Sequence, residues 1–337
     1  MMTTSRFAAV RGTLLGMSAL ALAACGGDSG PSNSGNTGSA PAPAPAPSPT
    51  PTATPTPTGF NDTEFQNSPW LVVDNALPAF EDGASGRGVR VALVDSGLIL
   101  DNPEFAGRIQ NGDVGAHRDD LHGMLVGQIA FGARNGTATM GVAFEADILA
   151  YNTLNCISDC FHSQTDLGTA ISNAEFNGAV VVNLSVVGDF ARDPLFFHIR
   201  RATERGVIVV IAAGNTGGAQ PNGFATQIVQ EVPSPLIILV GAHDTAQQIV
   251  ASSSRAGDQA IRYVTAYGGA TSFSTPVVTG TVALLRAAFP SLTPAQVVQA
   301  IYDSANDTGA PGIDPINGHG ALNIGAAYLL AKQRAGV

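Results

Sequence analysis

With 337 residues, 45% of them apolar and only 12% charged, the chain has the material for one large buried core. A formal net charge of -10 at pH 7 excludes a surface built to follow a phosphate backbone, so no nucleic-acid partner is expected. Beyond the N-terminal leader no stretch reaches the roughly 18 consecutive apolar residues of a membrane span.

Residues 1–25 read as a targeting segment. Arg6 and Arg11 form its basic start, and Gly12 to Ala24 is an apolar run too short to span a bilayer. The run ends in Leu22-Ala23-Ala24-Cys25, which resembles the lipobox of bacterial lipoproteins. The resemblance implies that Cys25 is lipidated and becomes the mature N-terminus, anchoring the chain to a membrane. The simpler alternative is an ordinary secretory signal in which Cys25 is incidental. Gly26 stands where an inner-membrane retention signal would carry Asp, so in a Gram-negative cell the expected location is the outer membrane, within the cell envelope or at its surface. Residues 26–59 are rich in Gly, Ser, Pro, Ala and Thr, with an Ala-Pro and Thr-Pro alternation from Ala40 to Thr58. Such a composition cannot build a core and reads as an extended, semi-rigid spacer.

From Phe60 to Val337 the pattern is globular. Val89–Val94, Asp147–Tyr151, Val180–Leu184, Val207–Ala212 and Leu236–Val240 are short, non-alternating apolar runs, as expected of strands buried on both faces of a parallel sheet. Helical spacing is found at His122–Ala133, Gln164–Asn177 and Pro194–Glu204, and later at Ser272–Ala288, Pro294–Ser304 and Ile324–Gln333. Alternation of this kind predicts an α/β fold, a three-layer sandwich around a mainly parallel sheet. No internal repeat is present.

Four short motifs carry chemistry. Asp95 follows the run Arg90–Val94, where a carboxylate at a strand end can orient a histidine; the structural alternative is a turn-forming Asp beside Gly97. His122 starts an apolar helical run and is followed by Gly123; an imidazole is the usual general base near neutral pH, but it is one of six histidines. Asn215 follows the run Val207–Ala213 and Gly214, where a carboxamide can donate to a developing oxyanion or simply form a Gly-rich turn. Ser272 opens a helix, a setting that suits a nucleophile, although Thr271, Ser272 and Ser274 are all good N-caps.

Taken together and in this order, Val94-Asp95-Ser96-Gly97, Leu121-His122-Gly123, Ala212-Ala213-Gly214-Asn215 and Thr271-Ser272-Phe273-Ser274-Thr275-Pro276 resemble the subtilisin-like serine peptidases, the subtilases. The resemblance runs from about Arg87 to Ala327 and includes Asn102–Ile109, Met140-Gly141-Val142-Ala143 and Gly318-His319-Gly320-Ala321-Leu322-Asn323. It is nearest to lipobox-bearing, autotransporter-type subtilases, but no β-barrel segment follows Val337. The resemblance implies a serine endopeptidase acting on protein or peptide substrates without a cofactor. Asp95 would orient His122, His122 would take the proton of Ser272, and Asn215 with the Ser272 N–H would stabilise the oxyanion. The family frame makes Ser272 the nucleophile and Ser274 a neighbour. Ser185-Val186-Val187-Gly188 stands at the substrate-pocket stretch, with Ala213 and Gly214 as further candidate substrate-binding residues.

Several positions depart from the family pattern. Ala270 replaces a Gly, Met124 a Thr and Leu121 a Gly, and Val187 in place of Gly is expected to narrow the pocket before the scissile bond. Ala266-Tyr267-Gly268-Gly269 runs almost directly into the serine motif, as if a surface hairpin were deleted, and no inhibitor-like prodomain fits between the linker and Val89. These departures keep a rival reading open, a weakly active or inactive subtilase fold serving as a binding module. An esterase is disfavoured because no Gly-x-Ser-x-Gly elbow is present. With Cys25 set aside, Cys156 and Cys160 are expected to form a local disulfide in an exported chain, the alternative being a metal site with His162. Asp113, Asp119 and Asp120 are candidate calcium ligands, with solvated carboxylates as the alternative. Oligomeric state is not readable.

Overall fold

The computed structural model describes residues 59–111, 121–156 and 160–337. The leader with Cys25, nearly all of the linker, and Asp113, Asp119 and Asp120 lie outside the described residues. Three short helices come first: α1 (Thr63–Gln66), α2 (Pro69–Val73) and α3 (Leu77–Glu81). Then follow β1 (Arg90–Asp95), β2 (Ile109–Asn111), α4 (His122–Phe131), β3 (Asp147–Asn152), β4 (Leu154–Cys156), β5 (Cys160–His162), α5 (Gln164–Phe176), β6 (Ala179–Leu184) and α6 (Leu195–Glu204). The remainder is β7 (Ile208–Ala212), α7 (Gly223–Glu231), β8 (Ile237–His243), β9 (Tyr263–Tyr267), α8 (Thr271–Ala288), α9 (Pro294–Asp303) and α10 (Ile324–Ala335).

Each apolar run singled out in the sequence forms a strand, and each expected helix is present with ends shifted by a few residues. The seven-stranded sheet has the order β2-β3-β1-β6-β7-β8-β9, and its neighbouring strands pair in parallel. Residues alternate between two cores along each strand. Val91, Leu93, Val181 and Val210 face the layer that includes α4, α8, α9 and α10, while Ala92, Val94, Val182 and Val209 face α5, α6 and α7. This two-sided burial is why the strands read as unbroken apolar runs. β9 was not foreseen, because Thr265 interrupts its apolar character; yet it pairs with the end of β8 and extends that strand from Val240 to His243. α7 was missed as well. Its start is marked by Asn222, whose side chain accepts from the Ala225 N–H at 2.9 Å.

α8 runs through the interior. Its residues from Ser274 to Leu285 are all buried, and it packs so closely that a Cβ added at Gly280 would lie 2.5 Å from Val142 Cβ and 3.2 Å from the Ala130 carbonyl of α4. A glycine mid-helix costs intrinsic stability, and here it makes that close approach possible.

The N-terminal helices are tied to the rest by buried carboxylates. Glu64 accepts from the backbone N–H groups of Asn135 and Gly136 at 3.0 and 2.9 Å. Asp74 and His243 are both fully buried and lie 3.0 Å apart; Asp74 Oδ2 also accepts from the Tyr267 N–H at 3.0 Å. Burial opposes charge on His243, but the adjoining Asp74 carboxylate raises its pKa above the ordinary histidine value. One side chain thus joins the end of α2 to the ends of β8 and β9. Removing it strands a buried imidazole, so Asp74→Ala should cost about 3–5 kcal/mol in urea unfolding. A cost below about 1 kcal/mol would show that the pair is not a fastening point.

Candidate active site

β1 lies between β3 and β6: the chain runs from β1 to β2 and β3 on one side, then crosses to β6 on the other, so the strand order reverses there. The crevice outside the carboxyl ends of the strands at such a point is where α/β sheets bind ligands. Asp95, the last residue of β1, sits there and is fully buried. Its Oδ1 accepts from the Ser96 N–H at 2.7 Å and lies 2.8 Å from His122 Nδ1. Because a carboxylate only accepts, this contact places the proton on Nδ1 and leaves Nε2 as the basic nitrogen. Burial works against charge on Asp95. The nearby His122, the hydrogen bond to it, His162 and the Ser96 N–H outweigh burial and hold the carboxyl below its ordinary value.

His122 is the first residue of α4, and its position depends on Gly123. The Gly123 N–H donates to Ser96 Oγ at 2.8 Å, and a Cβ at Gly123 would meet the Gly97 carbonyl at 2.4 Å. The glycine therefore allows α4 to start against the turn that follows Asp95. On the other side of the imidazole lies the Phe273 ring, at 5.7 Å between centroids and tilted by 39°. Met124, one of the departures from the family pattern, accepts from the Ile99 N–H through sulfur at 3.1 Å.

Ser272 is the second residue of α8 and only 7% exposed. The N-cap is Ala270, in extended conformation and without a side-chain cap bond. Thr271, Ser272 and Ser274 therefore do not cap, and the structural alternative for this motif falls away. Ser274 is fully buried and back-bonds to the Ala270 carbonyl, whereas the Ser272 hydroxyl donates to the Ser185 carbonyl at 3.2 Å. The hydroxyl is thus turned toward Ser185.

Asn215 lies three residues past the end of β7, in an exposed turn rather than at the strand end. Its orientation is set by Thr271: Asn215 Oδ1 accepts from the Thr271 N–H at 2.8 Å and from its hydroxyl at 3.0 Å. With the oxygen committed, the amide presents its N–H donors elsewhere, and the usual ambiguity between amide oxygen and nitrogen is resolved. Gly214, with φ +113°, makes the turn possible, since a Cβ there would press on Asn222.

The candidate substrate stretch follows β6 directly and reaches α8. Ser185 turns its side chain inward to the Ser272 carbonyl, Val186 is buried in the core, and Val187 stands at the surface, 37% exposed. Ala213 and Gly214 are buried behind Asn215. Cys156 and Cys160 occupy directly opposed backbone positions of the β4–β5 hairpin. His162 Nδ1 is engaged with Thr153 Oγ1 at 2.9 Å, and among the described residues no group of three or more His, Cys, Asp or Glu side chains is placed to hold a metal ion.

Sequence reasoning passed over Asn183 and Thr279, polar residues buried near the site, assigned no role to Ser96 and weighed Thr271 only as an N-cap. The signal of Asn183 and Thr279 was position: each lies within a few residues of a motif residue, inside a largely apolar run.

Comparison with known proteins bears on the family and the fold. The subtilase family model matches residues 86–320. A thermostable alkaline protease of Halalkalibacterium halodurans is 28% identical over 283 residues, covering 78% of this chain and 74% of the relative. Subtilisin of Bacillus pumilus is 27% identical over 283 residues, covering 78% of this chain and 99% of the relative. The solved protease domain of PatA superposes with a TM-score of 0.65 at 25% identity, covering 75% of this chain and 98% of that one. The chain therefore belongs to the subtilase family and is a serine endopeptidase.

Proposed function

We propose that Asp95, His122 and Ser272 cleave peptide bonds as a triad in a domain tethered to a membrane through Cys25. The observation that carries this reading is the 2.8 Å contact between fully buried Asp95 and His122 Nδ1, at the strand switch point faced by the first turn of α8. Asp95 fixes the tautomer of His122, whose Nε2 takes the Ser272 proton as the hydroxyl attacks the carbonyl carbon. Asn215, its oxygen held by Thr271, donates through Nδ2 to the oxyanion together with the Ser272 N–H. His122 then returns the proton to the leaving amine, and water repeats the cycle on the acyl-enzyme.

Val187 at the surface, and the uncharged Thr216-Gly217-Gly218 after Asn215, favour small or apolar side chains before the scissile bond. A dominant preference for Arg or Lys in a peptide-library profile would contradict this. The leader motif supports lipidation at Cys25, with residues 26–59 as the spacer.

A fluorophosphonate probe tests both parts. It should label the wild type and Ser274→Ala but not Ser272→Ala. In fractionated cells the label should sit with membranes and move to the soluble fraction in Cys25→Ala. No labelling of folded wild type would favour the binding-module reading, and unchanged fractionation of Cys25→Ala would remove the anchor.

The pH dependence follows from the same contacts. Because the Asp95 pKa is depressed, the stabilisation from its charge is full above the ordinary carboxylate range and is lost only as pH falls through the depressed value. The acid limb of kcat/KM therefore reports protonation of His122, with activity falling well before Asp95 is neutralised. A profile that stays flat down to about pH 4 would exclude His122 as the base.

A further inference from the structure

In an α-helix each carbonyl accepts from the N–H four residues ahead. For Ser272 that residue is Pro276, which has no N–H. The Ser272 carbonyl is thus deprived of its helical partner in a buried setting, where an unmet acceptor is costly. The missing bond is supplied from the end of β6: Ser185 Oγ donates to the Ser272 carbonyl at 2.9 Å. A carbonyl can only accept, so the single hydroxyl proton of Ser185 is committed to it.

The direction of the next bonds follows. Ser185 Oγ accepts from Asn183 Nδ2 at 2.9 Å, which turns Asn183 Oδ1 toward Thr279, whose hydroxyl lies 2.9 Å from it and 3.0 Å from the Thr275 carbonyl and shares its one proton between them. Asn183 and Thr279 are fully buried, and Ser185 is 3% exposed. The relay leaves α8 at Thr279, passes through two residues of the β6 end, and returns to the same helix about two turns earlier, at Ser272. It is closed by the Ser272 hydroxyl, which donates to the Ser185 carbonyl at 3.2 Å.

We propose that Ser185, oriented by Asn183, is a positioning residue for the nucleophile. Its hydroxyl replaces the helical bond that Pro276 removes, and so fixes the Ser272 N–H and Cα–Cβ directions that attack and oxyanion stabilisation require. The role rests on Ser272 being the nucleophile and acts through it, since the Ser185 hydroxyl touches the Ser272 main chain and no reacting atom.

The test compares wild type, Ser185→Ala and Ser185→Thr by steady-state kinetics and fluorophosphonate labelling rate, with circular dichroism and thermal melting to establish folding. Ser185→Ala should lower kcat and the labelling rate about 10- to 100-fold, as for a reacting group held about an ångström out of place. KM should stay within about threefold, because the lost contact acts on the nucleophile rather than on bound substrate. Ser185→Thr, which keeps the hydroxyl, should recover most of the loss. Should Ser185→Ala fail to fold, Asn183→Asp serves: a carboxylate cannot donate to Ser185 and draws the hydroxyl proton off the Ser272 carbonyl, so kcat should fall in the same way. Wild-type kcat and labelling rate in either folded variant overturn the positioning role while leaving the nucleophile assignment intact. Wild type that is active yet unlabelled at Ser272 overturns the nucleophile assignment and this role with it.

Discussion

The active site depends on where α8 begins. This helix is buried along most of its length against β6, β7, β8, β9 and α4, so its first turn has little freedom to shift. Thr271 leaves that turn to orient Asn215, Ser272 meets Ser185, and Phe273 lies against the ring of His122. Three motifs distant in sequence are thus referred to one helix start. Pro276 confers the particular character of that start, because it withdraws a backbone donor where a side chain can then take over the bond.

The sheet supplies the other half of the geometry. Parallel strands with their carboxyl ends on one side bring Asp95, Ser185 and the turn after β7 to a common edge. Asp95 is buried and still held ionised, because its partners are an imidazole and a backbone N–H rather than solvent. Asp74 makes a comparable carboxylate–imidazole contact on the same side of the sheet, but there burial outweighs the partners and raises its carboxyl pKa; its partner His243 ends β8, and the Gly268 N–H, just before the start of α8, donates to the His243 carbonyl at 3.0 Å. Buried carboxylates therefore connect the N-terminal helices, the sheet and the catalytic edge, in a chain whose overall charge is strongly negative.

Much of this was readable before any coordinates. Apolar runs such as Val207–Ala212 are long enough and pure enough that burial on both faces is their only sensible fate, and the order of the Asp, His, Asn and Ser motifs pointed to one family. What escaped were features decided by partners rather than by local pattern. β9 contains a polar Thr265 and becomes a strand because β8 offers it an edge. Ser272, a good N-cap by type, lies inside the helix because Ala270 adopts the extended cap conformation and Thr271 is drawn to Asn215. Asn183 and Thr279 stand out in sequence only as polar interruptions of apolar segments near a motif, and their pairing emerges once the two are seen bonded to one another.

The central claim is that Asp95, His122 and Ser272 work as one unit rather than as separate contributors. The most direct test is a double-mutant cycle on kcat/KM with Ser272→Ala, His122→Ala and the combined variant. If the hydroxyl is useful only through the imidazole, the double variant should be no slower than either single one, leaving the same residual rate from binding and the oxyanion donors. Losses that multiply across the cycle would show that the two residues act independently, and would contradict the triad.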